Sequence, residues 1–278
     1  RFIPLATPDA IPANTWDLLQ DRSGAVWIAA QGGLARYRDG VFDLYGTEDG
    51  LIYPDVRCLL EDRHGAIWMG TIYGLSRFHD DRFTSFTVSD GLAHDDVRFL
   101  AEGADGRIWI ATQAGVSVYD GSSFDNLTVQ EGLANDNVWA LLEDRSGTVW
   151  IGSYGGVSRF DGELVQTLLP RDGLATRSIH ALLEDRDGRI WIGGRGGVTR
   201  YDTEHAPPSV LLTGVTTDRP HGPQTEIRIP STQKFLAFDF RGISLKTRPG
   251  GMIYRYRLGG SAAAWQTTHR RHIEFADL

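Results

Sequence analysis

One spacing governs most of this chain. Trp27, Trp68, Trp109, Trp150 and Trp191 stand 41 residues apart. The aromatics Tyr37, Phe78, Tyr119, Phe160 and Tyr201 keep the same step, as do Gly33, Gly74, Gly115, Gly156 and Gly197. Three residue types holding one period through five copies without a gap define a repeat architecture. In the fourth copy, Val138–Leu142 reads as a strand covered on both faces. Asp144–Gly147 is a turn with glycine where a positive φ is needed. Val149–Ile151, Val157–Phe160 and Leu164–Leu168 follow as further strands, with a second turn at Tyr154–Gly156. Glycine pairs interrupt too often for a helical repeat. The 33 glycines and the 8 Trp, 12 Phe and 9 Tyr, against 2 Met, also favour tight turns between packed strands.

A four-stranded antiparallel unit of this length is the size of one propeller blade. The expected fold is therefore all-β, a β-propeller of five four-stranded blades over 1–203, and the repeated tryptophans pack between blades. After Tyr201 the fifth copy lacks its fourth strand, while Arg1–Thr7 (RFIPLAT) resembles the outer strand Arg82–Val88 (RFTSFTV). The N-terminal strand is thus expected to complete the last blade and close the ring; the alternative is a stretch of a longer array. Composition changes near residue 203, from a net charge of −12 before it to +4 after it. Pro207-Pro208 suits a stiff linker. Beyond it, Ser209–Val215, Thr225–Ile229, Phe235–Phe240, Ile253–Leu258 and His272–Phe275 alternate as short strands. Residues 204–278 read as an antiparallel sandwich, truncated because its last segment has nothing after it to pair with.

The overall charge of −8 argues against nucleic acid as a partner. No apolar run approaches the length of a membrane span. A single cysteine, Cys58, excludes internal disulfides and a cysteine-based zinc site. The chain begins at Arg1 rather than Met and reads as a piece of something longer, so a missing targeting segment says nothing of the parent.

Within a constant frame, the positions that vary along one rim are those that face a ligand. Before the third strand these are Gln31, Ile72, Gln113, Tyr154 and Arg195, with Tyr73 adjacent. At the start of the first strand they are Trp16, Arg57, Arg98, Trp139 and His180. Strands running from the inside outward put both sets on one face, near the central channel. Aromatic faces stack on sugar C–H surfaces, and Arg and Gln fork onto hydroxyls or acids, so the expected ligand is a glycan or a small polar or acidic molecule. The loops Pro54-Asp55, His94-Asp96, Asn135-Asn137 and Thr176-Ser178 are polar enough to gather Ca²⁺. Turn and cap chemistry explains them better, and no cofactor or metal is assigned. The aspartates Asp62, Asp144 and Asp185 before glycine read as turn formers. Catalysis would need a His/carboxylate cluster, for which His94 and His180 are the first suspects. No serine elbow, phosphate loop or His-Glu-x-x-His pair is present, so the chain is read as a non-enzyme.

The copies contain Leu-Glu-Asp-Arg-X-Gly-X-Ile/Val-Trp-Ile/Met-Gly, then Gly-Leu/Val-Ser-Arg-Phe, then Asp-Gly-Leu. This resembles the two-component regulator propeller repeat. The tail Ile253–Gly259 (IYRYRLG), with Trp265 and the closing Phe275–Leu278, resembles the triple-tyrosine, immunoglobulin-like domain that follows such propellers. The resemblance implies the periplasmic, extracytoplasmic sensor region of a membrane-anchored receptor that binds an oligosaccharide or other small molecule. It further implies signalling, as a homodimer, to a histidine kinase or a diguanylate cyclase beyond this chain. Propellers of similar style include lyases and lactonases. A protein-interaction scaffold is the alternative function, and a lyase or hydrolase a further one.

Overall fold

The structure, a computed structural model, describes residues 14–162, 165–202, 209–217, 235–243, 254–256, 266–268 and 270–276. The chain divides into two compact units, Arg1–Tyr201 and Asp202–Leu278.

Among the described residues the first unit holds five antiparallel sheets, each with its strands in chain order. Blade 1 comprises β1 (Thr15–Gln20), β2 (Val26–Ala30), β3 (Gly33–Arg38) and β4 (Val41–Tyr45). Blade 2 comprises β5 (Cys58–Glu61), β6 (Ile67–Gly70), β7 (Leu75–His79) and β8 (Arg82–Phe86). In blade 3 the strands are β9 (Val97–Glu102), β10 (Ile108–Thr112), β11 (Gly115–Tyr119) and β12 (Phe124–Leu127). Blade 4 has β13 (Val138–Glu143), β14 (Val149–Ser153), β15 (Val157–Phe160) and β16 (Val165–Leu168). In blade 5, β17 (Ile179–Glu184), β18 (Ile190–Gly194) and β19 (Gly197–Tyr201) form a three-stranded sheet. The first strands β1, β5, β9, β13 and β17 lie against one another in succession, which makes them the inner strands.

The repeated residues explain why blades form and stack. In four copies the turn aspartate accepts the indole N–H of the tryptophan six residues on: Asp21–Trp27, Asp62–Trp68, Asp144–Trp150 and Asp185–Trp191, each at 2.8 Å. Its other oxygen takes backbone amides of the same turn, as Asp62 does from His64 and Ala66. The turn and the second strand are thus fixed by one carboxylate. Blade 3 departs: Gly103 stands where the aspartate would, and Trp109 lacks this acceptor. Each of the first four tryptophans then packs on an aromatic of the next blade. Trp27 meets Phe78, Trp68 meets Tyr119, Trp109 meets Phe160 and Trp150 meets Tyr201, at ring centroid distances of 5.4–5.8 Å. An arginine and a glutamate stitch the blades at the opposite end of these strands. Arg22 reaches the carbonyls of Asp62 and Arg63, and Arg63 those of Gly103 and Ala104. Glu61, Glu102, Glu143 and Glu184 accept from the preceding blade.

The two end blades break the pattern of burial. Trp27, Trp68, Trp109 and Trp150 are 1–4% exposed, whereas Trp191 is 38% exposed. Val198 on the same face is also open, although Leu34, Leu75, Val116 and Val157 at its repeat positions are fully buried. On blade 1 the opposite face is open at Leu18, whose counterparts Leu59, Leu100 and Leu141 are buried. The expected closure of five blades into a ring is therefore not what the described residues display: blade 5 and blade 1 keep solvent-exposed apolar faces. The closing strand, Arg1–Thr7, lies outside the described residues.

Cys58 is buried beside Gly70, and burial, with the charge of Asp17 next, pushes its thiol up to about 12. It should therefore resist a thiol reagent at about pH 8 in the native protein and react fully once unfolded, as a timed labelling assay would read.

The second unit holds the antiparallel sheet β20 (Ser209–Thr216), β21 (Phe235–Ile243) and β24 (His272–Ala276), and the pair β22 (Tyr254–Tyr256) and β23 (Gln266–Thr268). Its core joins Phe240 and Ile273 with Leu212, Phe238 and Phe275. His272 is held between Asp239 (2.7 Å) and Glu274 (2.9 Å), and these hydrogen bonds, Asp239 first, raise its pKa. The expected strand Thr225–Ile229, Pro207-Pro208 and Trp265 lie outside the described residues. Gln266–Thr268 is a strand that the sequence pattern did not suggest.

Candidate functional site

One rim gathers the variable positions. It is formed by the starts of the inner strands and the turns between second and third strands. The inner strands do not simply begin there. In blades 1, 3, 4 and 5 the pairing with the second strand slips by one residue, a β-bulge, between Thr15 and Asp17, Val97 and Phe99, Val138 and Ala140, and Ile179 and Ala181. The extra residues are Trp16, Arg98, Trp139 and His180. Arg57 holds the same place in blade 2, its amide bonded to the Gly70 carbonyl at 2.8 Å. A bulge turns one side chain out of the ladder, and functional rims use it to aim residues. Neither the bulge nor its repetition was legible in the spacing.

These side chains form a connected series across blades 2 to 5. Arg57 Nη1 donates to Asp96 Oδ1 at 2.9 Å. Arg98 Nη2 donates to Asp96 Oδ2 at 3.1 Å and Nη1 to Asn137 Oδ1 at 2.5 Å. The Arg98 guanidinium lies 4.0 Å from the Trp139 ring centroid, the Trp139 and His180 rings meet edge to face at 5.4 Å, and His180 Nε2 is 2.9 Å from Ser178 Oγ. Arg98 is only 9% exposed. Its guanidinium packs against Trp139, while Trp139 and His180 stay exposed. Arg57 keeps an exposed face but is tied to Asp96. Trp16 is exposed at the blade 1 end of the rim.

The turns add the second set. Tyr73 pairs with Tyr53, ring centroids 4.6 Å apart. Gln31 accepts from Asn14 at 2.8 Å, and Gln113 is exposed with its amide on the Asp96 carbonyl. Tyr154 is 51% exposed and lies under the Arg177 guanidinium at 5.4 Å; Arg195 is exposed. Buried hydroxyls hold these turns rigid. Thr71, Thr112 and Ser153 each bond the carbonyl of the glycine three residues on, Gly74, Gly115 and Gly156. Gly74 needs to be glycine: its φ is +133°, and a Cβ would come 2.6 Å from the Phe86 carbonyl. The loops entering the inner strands are pinned as well, Ile52, Ala93, Ala134 and Ala175 donating to Ser76, Ser117, Ser158 and Thr199.

The loop carboxylates considered for Ca²⁺ are engaged in the frame. Asp55 takes the Gly32 amide, Asp95 that of Val88 and Asp136 that of Val129. Among the described residues no three His, Cys, Asp or Glu side chains are grouped to hold a metal. His94 Nδ1 accepts the Asp96 amide at 2.9 Å within its loop. A cleft of about 450 Å³ lies between blades 1 and 2 at the opposite end of the strands, lined by Arg36, His64, His79, Asp80 and Asp81 among others. Its Arg36 is already bound to Asp43 at 2.7 Å. No helix among the described residues is long and apolar enough to cross a membrane.

Comparison with known proteins puts this geometry in context. The two-component regulator propeller family matches residues 50–73, 91–114, 132–155 and 173–196. No curated protein matches the chain in sequence. Two solved structures from B. thetaiotaomicron share the fold. One is described as the extracellular domain of a hybrid two-component system (17% identity, TM-score 0.57, 98% of this chain and 47% of that one). The other is that of a one-component system (16% identity, TM-score 0.58, 95% and 53%). The chain thus spans about half the length of each. Virginiamycin B lyase from Staphylococcus aureus also shares the fold (12% identity, TM-score 0.55, 99% and 98%). Four stretches of the chain in regular succession match the two-component regulator propeller family, on an all-β fold shared with extracellular domains described as parts of such signalling systems.

Proposed function

We propose that this chain is the ligand-sensing part of an extracytoplasmic receptor, without catalysis of its own, and that it recognises a glycan or a small polar or acidic molecule on the bulge-lined rim. The observation that carries this reading is the connected series Arg57–Asp96–Arg98–Trp139–His180. It crosses four blades, leaves aromatic and cationic surface exposed, and rests on turns that are rigid before any ligand arrives. Preorganisation of that kind lowers the ordering cost of binding. The parent receptor would be membrane-anchored and dimeric, with occupancy of the rim biasing its signalling state.

Thermal unfolding against a panel of neutral oligosaccharides, uronic acids and Ca²⁺ tests it. A ligand at about 100 times its dissociation constant adds about 2.7 kcal/mol, a rise of a few degrees in Tm. The rise should vanish in Trp139→Ala, which leaves the blade core intact. A flat response to the whole panel from a cooperatively folding protein would turn the assignment toward a scaffold that docks a protein. The lyase reading draws on the fold shared with the Staphylococcus aureus enzyme and on His180 at the rim. Turnover of a bound panel member, lost in His180→Ala, would favour it.

A further inference from the structure

We infer that the sector of the rim between blades 4 and 5 is a subsite for the carboxylate of an acidic saccharide, a uronic acid, gripped by Arg177 and Arg195. This deepens the sensory reading above and rests on it.

The bulge residue of one blade faces the residue 39 positions on, in the next: Arg57 bonds Asp96 and Arg98 bonds Asn137. The residues at that facing position, blade by blade, are Asp55, Asp96, Asn137 and Ser178. They pass from carboxylate to amide to hydroxyl, so the rim loses its built-in anion toward blade 5. Arg57 and Arg98 sit where the series is acidic, and both are satisfied by Asp96. Arg177 and Arg195 sit where it is not. Both are exposed, and among the described residues no carboxylate forms an ion pair with either. The nearest acid to Arg177 in sequence, Asp172, takes the Leu169 amide at 3.0 Å, and Asp136, at the repeat position of Arg177, takes the Val129 amide at 2.7 Å.

The two arginines are carried by loops in contact. A Cβ on Gly196 would lie 3.1 Å from the Ala175 carbonyl and 3.2 Å from Thr176 Cβ, so the turn bearing Arg195 rests on the loop bearing Arg177. That loop is fixed by the bond from the Ala175 amide to Thr199 Oγ1, 2.8 Å. Tyr154 supports the Arg177 guanidinium from one side, and Ser178 joins the cluster to His180 and Trp139. Two exposed arginines on loops in contact, with no carboxylate paired to either among the described residues, form a site that an anion completes. The guanidinium fork matches a carboxylate, and the Trp139 ring offers a face to sugar C–H groups.

Titration calorimetry of the chain with digalacturonate and with its dimethyl ester, at low and high salt, tests this. The acid should bind, and salt should weaken it. The ester should bind at least about tenfold more weakly, and Arg177→Ala and Arg195→Ala should each cost the acid about tenfold or more with an unchanged melting midpoint. Arg195→Lys should keep part of the affinity, since the charge survives and the fork does not. Ester binding as tight as the acid, or acid binding indifferent to both substitutions, would overturn the carboxylate subsite and leave a neutral-ligand sensor standing. Binding of neither compound would overturn the uronate assignment, while the wider panel judges the sensory reading on its own.

Discussion

Trp68→Ala is expected to destabilise the protein by about 3–5 kcal/mol, the range for deleting a large aromatic from a packed core. Trp68 is 2% exposed, stacks on Phe86 at 5.9 Å, meets Tyr119 edge to face at 5.6 Å, and carries the Arg77 guanidinium at 5.4 Å. Its removal opens the interface between blades 2 and 3 and leaves Asp62 without the indole donor. Trp191→Ala should cost less than half as much, because that ring is 38% exposed and the area it removes from water is correspondingly small. Urea unfolding of the two variants gives the comparison. Equal losses would mean that something covers blade 5 in solution.

The second large effect concerns Asp62. Asp62→Ala should cost about 3 kcal/mol, because a buried indole N–H and two backbone amides lose one shared acceptor. The same carboxylate makes the fold acid-sensitive. Burial alone would raise its pKa, but the Trp68 indole and the Ala66 and His64 amides outweigh this and hold it below the usual value; Asp21 is lowered in the same way. A depressed native pKa gives stability that is present above the unfolded value, about 3.9, and lost as pH falls through the native one. Melting temperature should therefore drop steeply below about pH 4, and less steeply in Asp62→Asn, which no longer titrates there. A profile as steep as the wild type in that variant would assign the acid sensitivity to other carboxylates.

The frame was legible because it is periodic. Trp, Gly and aromatic spacing gave the blades, and the strands of the fourth copy fall within a residue or two of their expected limits. Blade-to-blade chemistry was not legible, since it depends on which side chains come within reach once the sheets stack. Asp96 pairs with two arginines from two blades, and nothing local to Arg57 announces it. Arg98 was read as a ligand contact, and its packing on Asn137 and Trp139 of the next blade appears only once the sheets stack. Arg177 sat in a loop weighed for Ca²⁺, and its lack of an acidic neighbour is visible only when the facing positions are compared around the rim. The hydroxyls of Thr71, Thr112 and Ser153 repeat at the same period, so the pinning of the rim turns could have been read from sequence, given the geometry of one copy.

The blade interface is written at constant offsets. Arginine reaches a carbonyl 40 or 41 residues ahead in copies 1, 2 and 4, the third having Ala104 there, and glutamate answers an amide 39 residues behind. These outer contacts are thus specified relative to the repeat and not to the position of the blade, unlike those of the rim. A duplication or deletion of one whole unit by unequal recombination would regenerate all of these bonds at the new joint, while a change of even one residue in unit length would misplace them together. Such a gene can gain or lose blades without relearning how to fold, and its descendants are free to diverge at the outward-turned bulge residues, where partners are chosen.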